Sequence, residues 1–310
     1  MKLLSGAIPT MFQISKPALK IFIAGLAVAL TACSNLPPKE DSIVPKGVVA
    51  TINTKEVMFI HGMFVSSSSW DLWRPEFEKA GYTVSAPAWP LHDVPMDRTK
   101  DAAHRTAMAQ LGLEQVLNHY RAFLKPKAVK PILVGHSMGG LVAQKLLQEG
   151  LAQAAVVVDS AAPKGVLFVS WSFLKSQWPI ISPFADNNAP LILTREEFAY
   201  SFTNQQTDAV TSAAYATVVP ESRKVAKDTL TAIAAIDLTQ SRGPLLMLAG
   251  ENDHILPAAL NYKNFELYRN TPGRTDFKLM AGRDHWLIAG TGWDEVAGVT
   301  LKWIKAQSGN

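Results

Sequence analysis

Ser137 lies in the run P-I-L-V-G-H-S-M-G-G, residues 131–140. An apolar stretch before it suits a buried strand, and the spacing of Leu141, Val142, Leu146 and Leu147 after it suits a helix. A serine at such a strand-to-helix corner needs small residues two places to either side, and Gly135 and Gly139 supply them. The corner pushes the hydroxyl out over the carboxyl edge of the sheet. It also leaves the Met138 amide at a helix N-terminus, where developing negative charge is stabilised. A hydroxyl is a weak nucleophile near neutral pH, so it needs a base within hydrogen-bond reach and a third group to fix that base's tautomer. Two later strand-ending stretches supply them: A-G-E-N-D-H (249–254) carries Asp253 as the acid, and A-G-R-D-H-W (281–286) carries His285 as the base. Asp159 is a second place for the acid, and His254, His136 and His92 are competing bases. His136 sits on the corner itself and His254 adjoins the proposed acid, which favours His285. A third strand ends in H-G-M-F (61–64), where Gly62 lets the chain bend so that the Met63 amide points above Ser137; His61 reads as structural.

The elements that must carry these groups alternate in type. Strands are predicted at Lys55–Ile60, Tyr82–Ala86, around 132–134, Ala154–Asp159, Leu245–Leu248 and Asp276–Met280. Between them come a helix through Trp70, Trp73 and Phe77, a helix pair or one long helix over Thr99–Leu124, and the helix after Ser137 that ends at Gly150. Helices around Ala258–Tyr268 and Trp293–Ile304 complete the series. Such alternation predicts right-handed βαβ units in an α/β fold with a mostly parallel central sheet flanked by helices. The rhythm breaks from about 164 to 242, where aromatics such as Trp171, Phe173 and Trp178 precede helical runs at Glu196–Phe202 and Lys224–Ile236. An insertion there, where a strand leaves the catalytic edge, is expected to form a helical cap over the site.

The 310 residues are 48% hydrophobic and 18% charged, enough for a large core. The formal charge of +4 owes three units to Lys2, Lys16 and Lys20, leaving +1 for the rest, so no nucleic-acid surface is implied. Lys125, Lys127 and Lys130, broken by Pro126, read as a solvated loop. The histidines form no H-x-x-x-H pattern and the single cysteine no C-x-x-C, so no metal and no cofactor is expected. One cysteine makes no internal disulfide. It follows an apolar run, Ile21–Leu30, that is long enough for a signal-peptide core and too short to span a bilayer.

Leu30-Thr31-Ala32-Cys33 resembles the lipobox of bacterial lipoproteins. The resemblance implies a signal peptide over 1–32, starting at Met1 or Met11, and an acylated Cys33. With Ser34 after the cysteine it also implies the outer membrane in a cell with two membranes. Residues 33–50, with Pro37, Pro38 and Pro45, then read as a tether before a domain at 51–310.

H-G-M-F, G-H-S-M-G-G, G-E-N-D-H and G-R-D-H-W together resemble the α/β-hydrolase superfamily, in its capped branch of esterases and non-haem chloroperoxidases. The resemblance covers nearly all of 51–308. It implies Ser137 as nucleophile, Asp253 as acid, His285 as base, and the Met63 and Met138 amides as the oxyanion hole. A carboxylic-ester hydrolase acting on a small, apolar acyl substrate is the leading expectation. Non-hydrolytic chemistry on the same triad (perhydrolysis, C–C cleavage or a lyase reaction) is the alternative from a second class, and a binding protein with a decayed site is a third. A decayed site would have lost a triad member, and none is lost. Serine at position 137 argues against haloalkane dehalogenases and epoxide hydrolases, which place aspartate there.

Overall fold

The apolar stretches pair as the alternation predicts. In the computed structural model, which describes residues 36–43, 51–94 and 101–308, Glu56–Ile60 (β2), Thr83–Ser85 (β3), Ile132–His136 (β4), Ala154–Val158 (β5), Leu245–Gly250 (β6) and Thr275–Met280 (β7) run parallel. β4, β5 and β6 are buried along their whole length, which is why they read as unbroken apolar runs and not as alternating ones. With Glu40–Ile43 as β1, the order across the sheet is β1-β7-β6-β5-β4-β2-β3. β2 therefore has the following strand on one side and β4 on the other. The chain reverses its direction of travel at this point, and the carboxyl ends of β2 and β4 open a crevice suited to a ligand.

The expected signal segment and Cys33 lie outside the described residues, as does most of the expected tether. Within that tether, however, Glu40–Ile43 is a strand, β1, that pairs antiparallel with β7. Ser42 Oγ donates to Asp276 at 2.6 Å, Tyr262 Oη donates to Asp41 at 2.8 Å, and Lys278 bonds Glu40. The polar sequence E-D-S-I carries no strand pattern because it covers an exposed edge and is held by side-chain bonds at its rim.

Helices flank both faces of the sheet. Trp73–Lys79 (α1) and Trp293–Gln307 (α10) pack together on one face over an aromatic cluster of Phe59, Trp70, Trp73 and Phe77, with ring centroids 4.9–6.3 Å apart. Each such buried ring contributes roughly 2 kcal/mol through burial. Ala102–Ala109 (α2), Leu113–Leu124 (α3), Met138–Gln148 (α4) and Ala258–Leu267 (α9) contribute to the core of the other face. Of the two forms expected over 99–124, a helix pair or one long helix, the structure has the pair, parted at Gly112; residues 95–100 lie outside the described set. The insertion between β5 and β6 is helical, with Trp171–Ile181 (α5), Arg195–Ser201 (α6), Asp208–Tyr215 (α7) and Arg223–Lys227 (α8). Two of these, α5 and α7, are not foreseen: α5 contains Pro179 and leaves Trp171 and Trp178 exposed, so no clean apolar face betrays it. The run expected at Lys224–Ile236 is α8 followed by two short 3₁₀ turns.

Candidate active site

Ser137 follows β4 and begins α4 with φ 57° and ψ −124°, a backbone state that non-glycine residues rarely occupy. The two flanking glycines are there for space. A β-carbon on Gly135 would fall 2.2 Å from the Gly139 carbonyl oxygen, and one on Gly139 would fall 2.3 Å from that of Ile60. Ser137 is held by its N–H donating to Val158 O and its C=O accepting from Ala161 N–H, so the strain is fixed from the end of β5 and the residues just after it.

His285 ends the short loop after β7 and is buried. Its Nδ1 lies 2.6 Å from Asp253 Oδ2, while Asp159 Oδ2 is 3.9 Å away. The structure thus brings Asp253 to the histidine and leaves Asp159 behind it. Asp253 is itself oriented, its Oδ1 accepting the N–H groups of Ile255 and Leu256 at 2.8 and 2.9 Å. Because a carboxylate only accepts, the His285 proton sits on Nδ1 and Nε2 presents a lone pair. That Nε2 is buried without a hydrogen-bond partner among the described residues. It is not bonded to the Ser137 hydroxyl either; in ligand-free sites such contacts are commonly long and tighten with substrate. The two residues still share one corner: His136 Nε2 donates to His285 O at 3.0 Å, and the two rings lie 4.6 Å apart.

Asp159 adopts a left-handed φ of 42° and takes the Gly250 N–H at 2.6 Å, which ties the end of β5 to the end of β6. Burial first, and then the neighbouring Asp253 charge, push its carboxyl well above the usual range. The competing histidines are occupied. His254 Nδ1 donates to Tyr200 O, His92 faces Glu221, and His136 is committed to the His285 carbonyl. Burial, then the charge of His285, holds His136 well below its ordinary value. His136, Asp159 and His285 offer potential ligand atoms within 4.8 Å of one another; hydrogen bonds take His136 Nε2 and His285 Nδ1, while His136 Nδ1, His285 Nε2 and Asp159 Oδ2 have no hydrogen-bond partner among the described residues.

Among the described residues the Met63 and Met138 amides donate no hydrogen bond, and both residues line the same cavity as Ser137. His61 is structural: its Nε2 accepts the Trp89 N–H at 2.9 Å, and its Nδ1–H donates to Gly62 O at 2.8 Å. Gly62 O and Met63 N–H belong to one peptide plane, so that bond turns the amide the opposite way. Gly62 is needed for close approach, since a β-carbon there would lie 2.7 Å from Ser137 Cβ; the left-handed residue of this turn is Phe64, at φ 66°.

The cavity over Ser137 measures about 470 Å³ and is walled mostly by apolar side chains of the insertion and core, among them Phe168, Phe173, Ile180, Phe202 and Leu256. Phe202 also meets the His285 ring edge-on at 4.9 Å. Asp284, which the sequence reading passes over, is buried and accepts from Gln205 N–H and Gln206 Nε2, both at 2.9 Å, so the insertion is pinned to the His285 loop. Its only signal in the sequence is its place beside His285.

The sequence matches the alpha/beta hydrolase family over residues 57–299. The chain belongs to that family. Among solved structures this hydrolase is similar to an extracellular alpha/beta-hydrolase from a Paenibacillus species (22% identity, TM-score 0.58, 80% of this chain and 98% of that one). It is similar also to tomato Methylketone Synthase I (15%, 0.63, 83% and 100%) and to the monoacylglycerol lipase of Paleococcus ferrophilus (18%, 0.58, 87% and 98%). No curated protein sequence matches significantly. At these identities the likeness is one of fold, and the fold expected from the motifs is the fold observed.

Proposed function

We propose that this hydrolase cleaves carboxylic esters of apolar acyl groups through an acyl-enzyme on Ser137. The observation that carries the reading is a histidine with one nitrogen fixed by Asp253 and the other free, beside a strained serine facing an apolar cavity. As Ser137 Oγ bonds to the acyl carbon, His285 Nε2 takes the hydroxyl proton and the carbonyl π bond opens onto oxygen. Met63 and Met138 N–H groups hold that oxyanion, each donor being worth about 3 kcal/mol in the transition state. Collapse breaks the ester C–O bond, and His285 returns its proton to the leaving alkoxide. Water, activated by the same nitrogen, then releases the acid and regenerates Ser137. The apolar walls favour chains over charged acyl groups, and the lipase among the similar structures supports an ester substrate.

Purified protein is expected to hydrolyse p-nitrophenyl esters, with kcat/KM rising from acetyl to medium-chain acyl groups; no hydrolysis at any chain length would reject the reading. A second reading, C–C bond chemistry using His285 without an acyl-enzyme, draws on the Methylketone Synthase I likeness. It requires that Ser137→Ala keep turnover of a β-keto acid. The chain is further read as lipid-anchored through Cys33, outside the described residues. Radiolabelled palmitate should enter the wild type and be lost with Cys33→Ala, and label retained in that variant would reject the anchor.

A further inference from the structure

A second acid–histidine pair lies on the far side of the Met63 turn. Glu221, in the insertion between α7 and α8, is wholly buried, and its backbone bridges Leu191 in both directions at 2.7 and 2.9 Å. Its Oε2 lies 3.0 Å from His92 Nε2 and accepts the Phe64 N–H at 3.4 Å. Two residues earlier, Val219 N–H donates to Phe64 O at 3.0 Å. Both backbone polar groups of Phe64 are thereby taken by one short segment of the cap, and Phe64 is the turn residue held at φ 66°. A bulky residue stays in that conformation only where its surroundings impose it. Phe64 directly follows Met63, which lines the cavity and whose amide donates no hydrogen bond among the described residues. His61 fixes the other side of the same turn.

We propose that Glu221 and His92 are positioning residues for the reaction: their buried pair fixes the backbone of Phe64 and, through it, the Met63 amide that receives the oxyanion. The inference rests on the ester-hydrolysis reading above. Charge holds the pair together. His92 Nδ1 donates to Pro90 O at 3.0 Å and Nε2 to the Glu221 carboxylate, so both nitrogens carry protons. Burial works against this cation, but Glu221's charge and hydrogen bond, the Pro90 carbonyl and Asp93 together lift His92 above its ordinary value. The other groups around it are the neutral His61 ring, 5.2 Å away, and Trp89, 5.5 Å away. The cap therefore does more than roof the cavity: its docking onto Phe64 completes the oxyanion site, and an undocked cap would leave Ser137 with one properly aimed donor.

The test uses the full chain with Glu221→Gln, Glu221→Ala and His92→Gln. On a p-nitrophenyl ester kcat should fall about tenfold for either glutamine variant and about 100-fold for Glu221→Ala, with KM within twofold of wild type. Gln at 221 keeps an acceptor for Phe64 N–H and so rescues part of the alanine loss. Amide hydrogen exchange over 62–65 should quicken in the same order. Should Glu221→Ala fail to fold, the two glutamine variants decide. A kcat within twofold of wild type in both, whatever the exchange, would overturn the positioning role. A wild type that fluorophosphonate does not label at Ser137 would instead sink the hydrolysis reading, and this inference with it.

Discussion

Among the described residues, Asp253–His285 and Glu221–His92 are both buried carboxylate–imidazole pairs, and they differ in what faces the second nitrogen. In Asp253–His285 that nitrogen is buried with no partner among the described residues; in Glu221–His92 it is spent on a backbone carbonyl. The first imidazole is able to take and return a proton, the second only to hold one. The same two functional groups are thus set to transfer or to clamp by one hydrogen bond, a distinction that composition and burial do not make.

The sharpest way to break this comparison is to remove each imidazole in turn. His285→Gln should lower kcat for ester hydrolysis on the order of 10⁶-fold, against the tenfold expected of His92→Gln. Comparable losses in steady-state assays would show that the two pairs share one role. Next in size is the acid. Asp253→Asn should cost about 10⁴-fold by presenting the wrong tautomer of His285, whereas Asp159→Asn, at a carboxyl 3.9 Å from His285 Nδ1 and not hydrogen-bonded to it, should cost less than about tenfold. The reverse order would move the catalytic acid to the end of β5.

The smallest effect concerns stability and pH. The folded state raises His92 above its ordinary 6.5, so it keeps a proton that the unfolded chain releases. Its contribution is complete below about pH 6.5 and is lost as pH rises through the folded value. His61 and His136 have the opposite sign: burial, then a neighbouring histidine charge, lowers both, so their contribution is lost as pH falls through 6.5. Thermal midpoints of wild type and His92→Gln should therefore differ most near pH 6 and converge at alkaline pH. A gap that widens with pH would contradict the charged pair.

Much of the site was legible because its parts are local. Ser137 with Gly135 and Gly139, and the acid and base at the ends of two strands, each sit in a short run whose residues must be those types to make the turn or hold the proton. The sequence favours Asp253 over Asp159 without excluding the latter, since both end neighbouring strands; the 2.6 and 3.9 Å distances part them. The clamp was not legible at all. Glu221 lies 129 residues from His92 and 157 from Phe64, in a segment with no periodic pattern, and His92 read merely as a competing base. The edge strand Glu40–Ile43 was missed for a related reason: its hold is on distant side chains of β7 and α9, not on an apolar face of its own.

The central claim, that Ser137 is a hydroxyl made reactive by His285, is tested most directly by intact-protein and peptide mass spectrometry after treatment with a fluorophosphonate. A single phosphonyl adduct is expected on the peptide bearing Ser137, formed far more slowly in His285→Gln and absent from Ser137→Ala. An adduct that persists in Ser137→Ala would place the nucleophile elsewhere and contradict that claim.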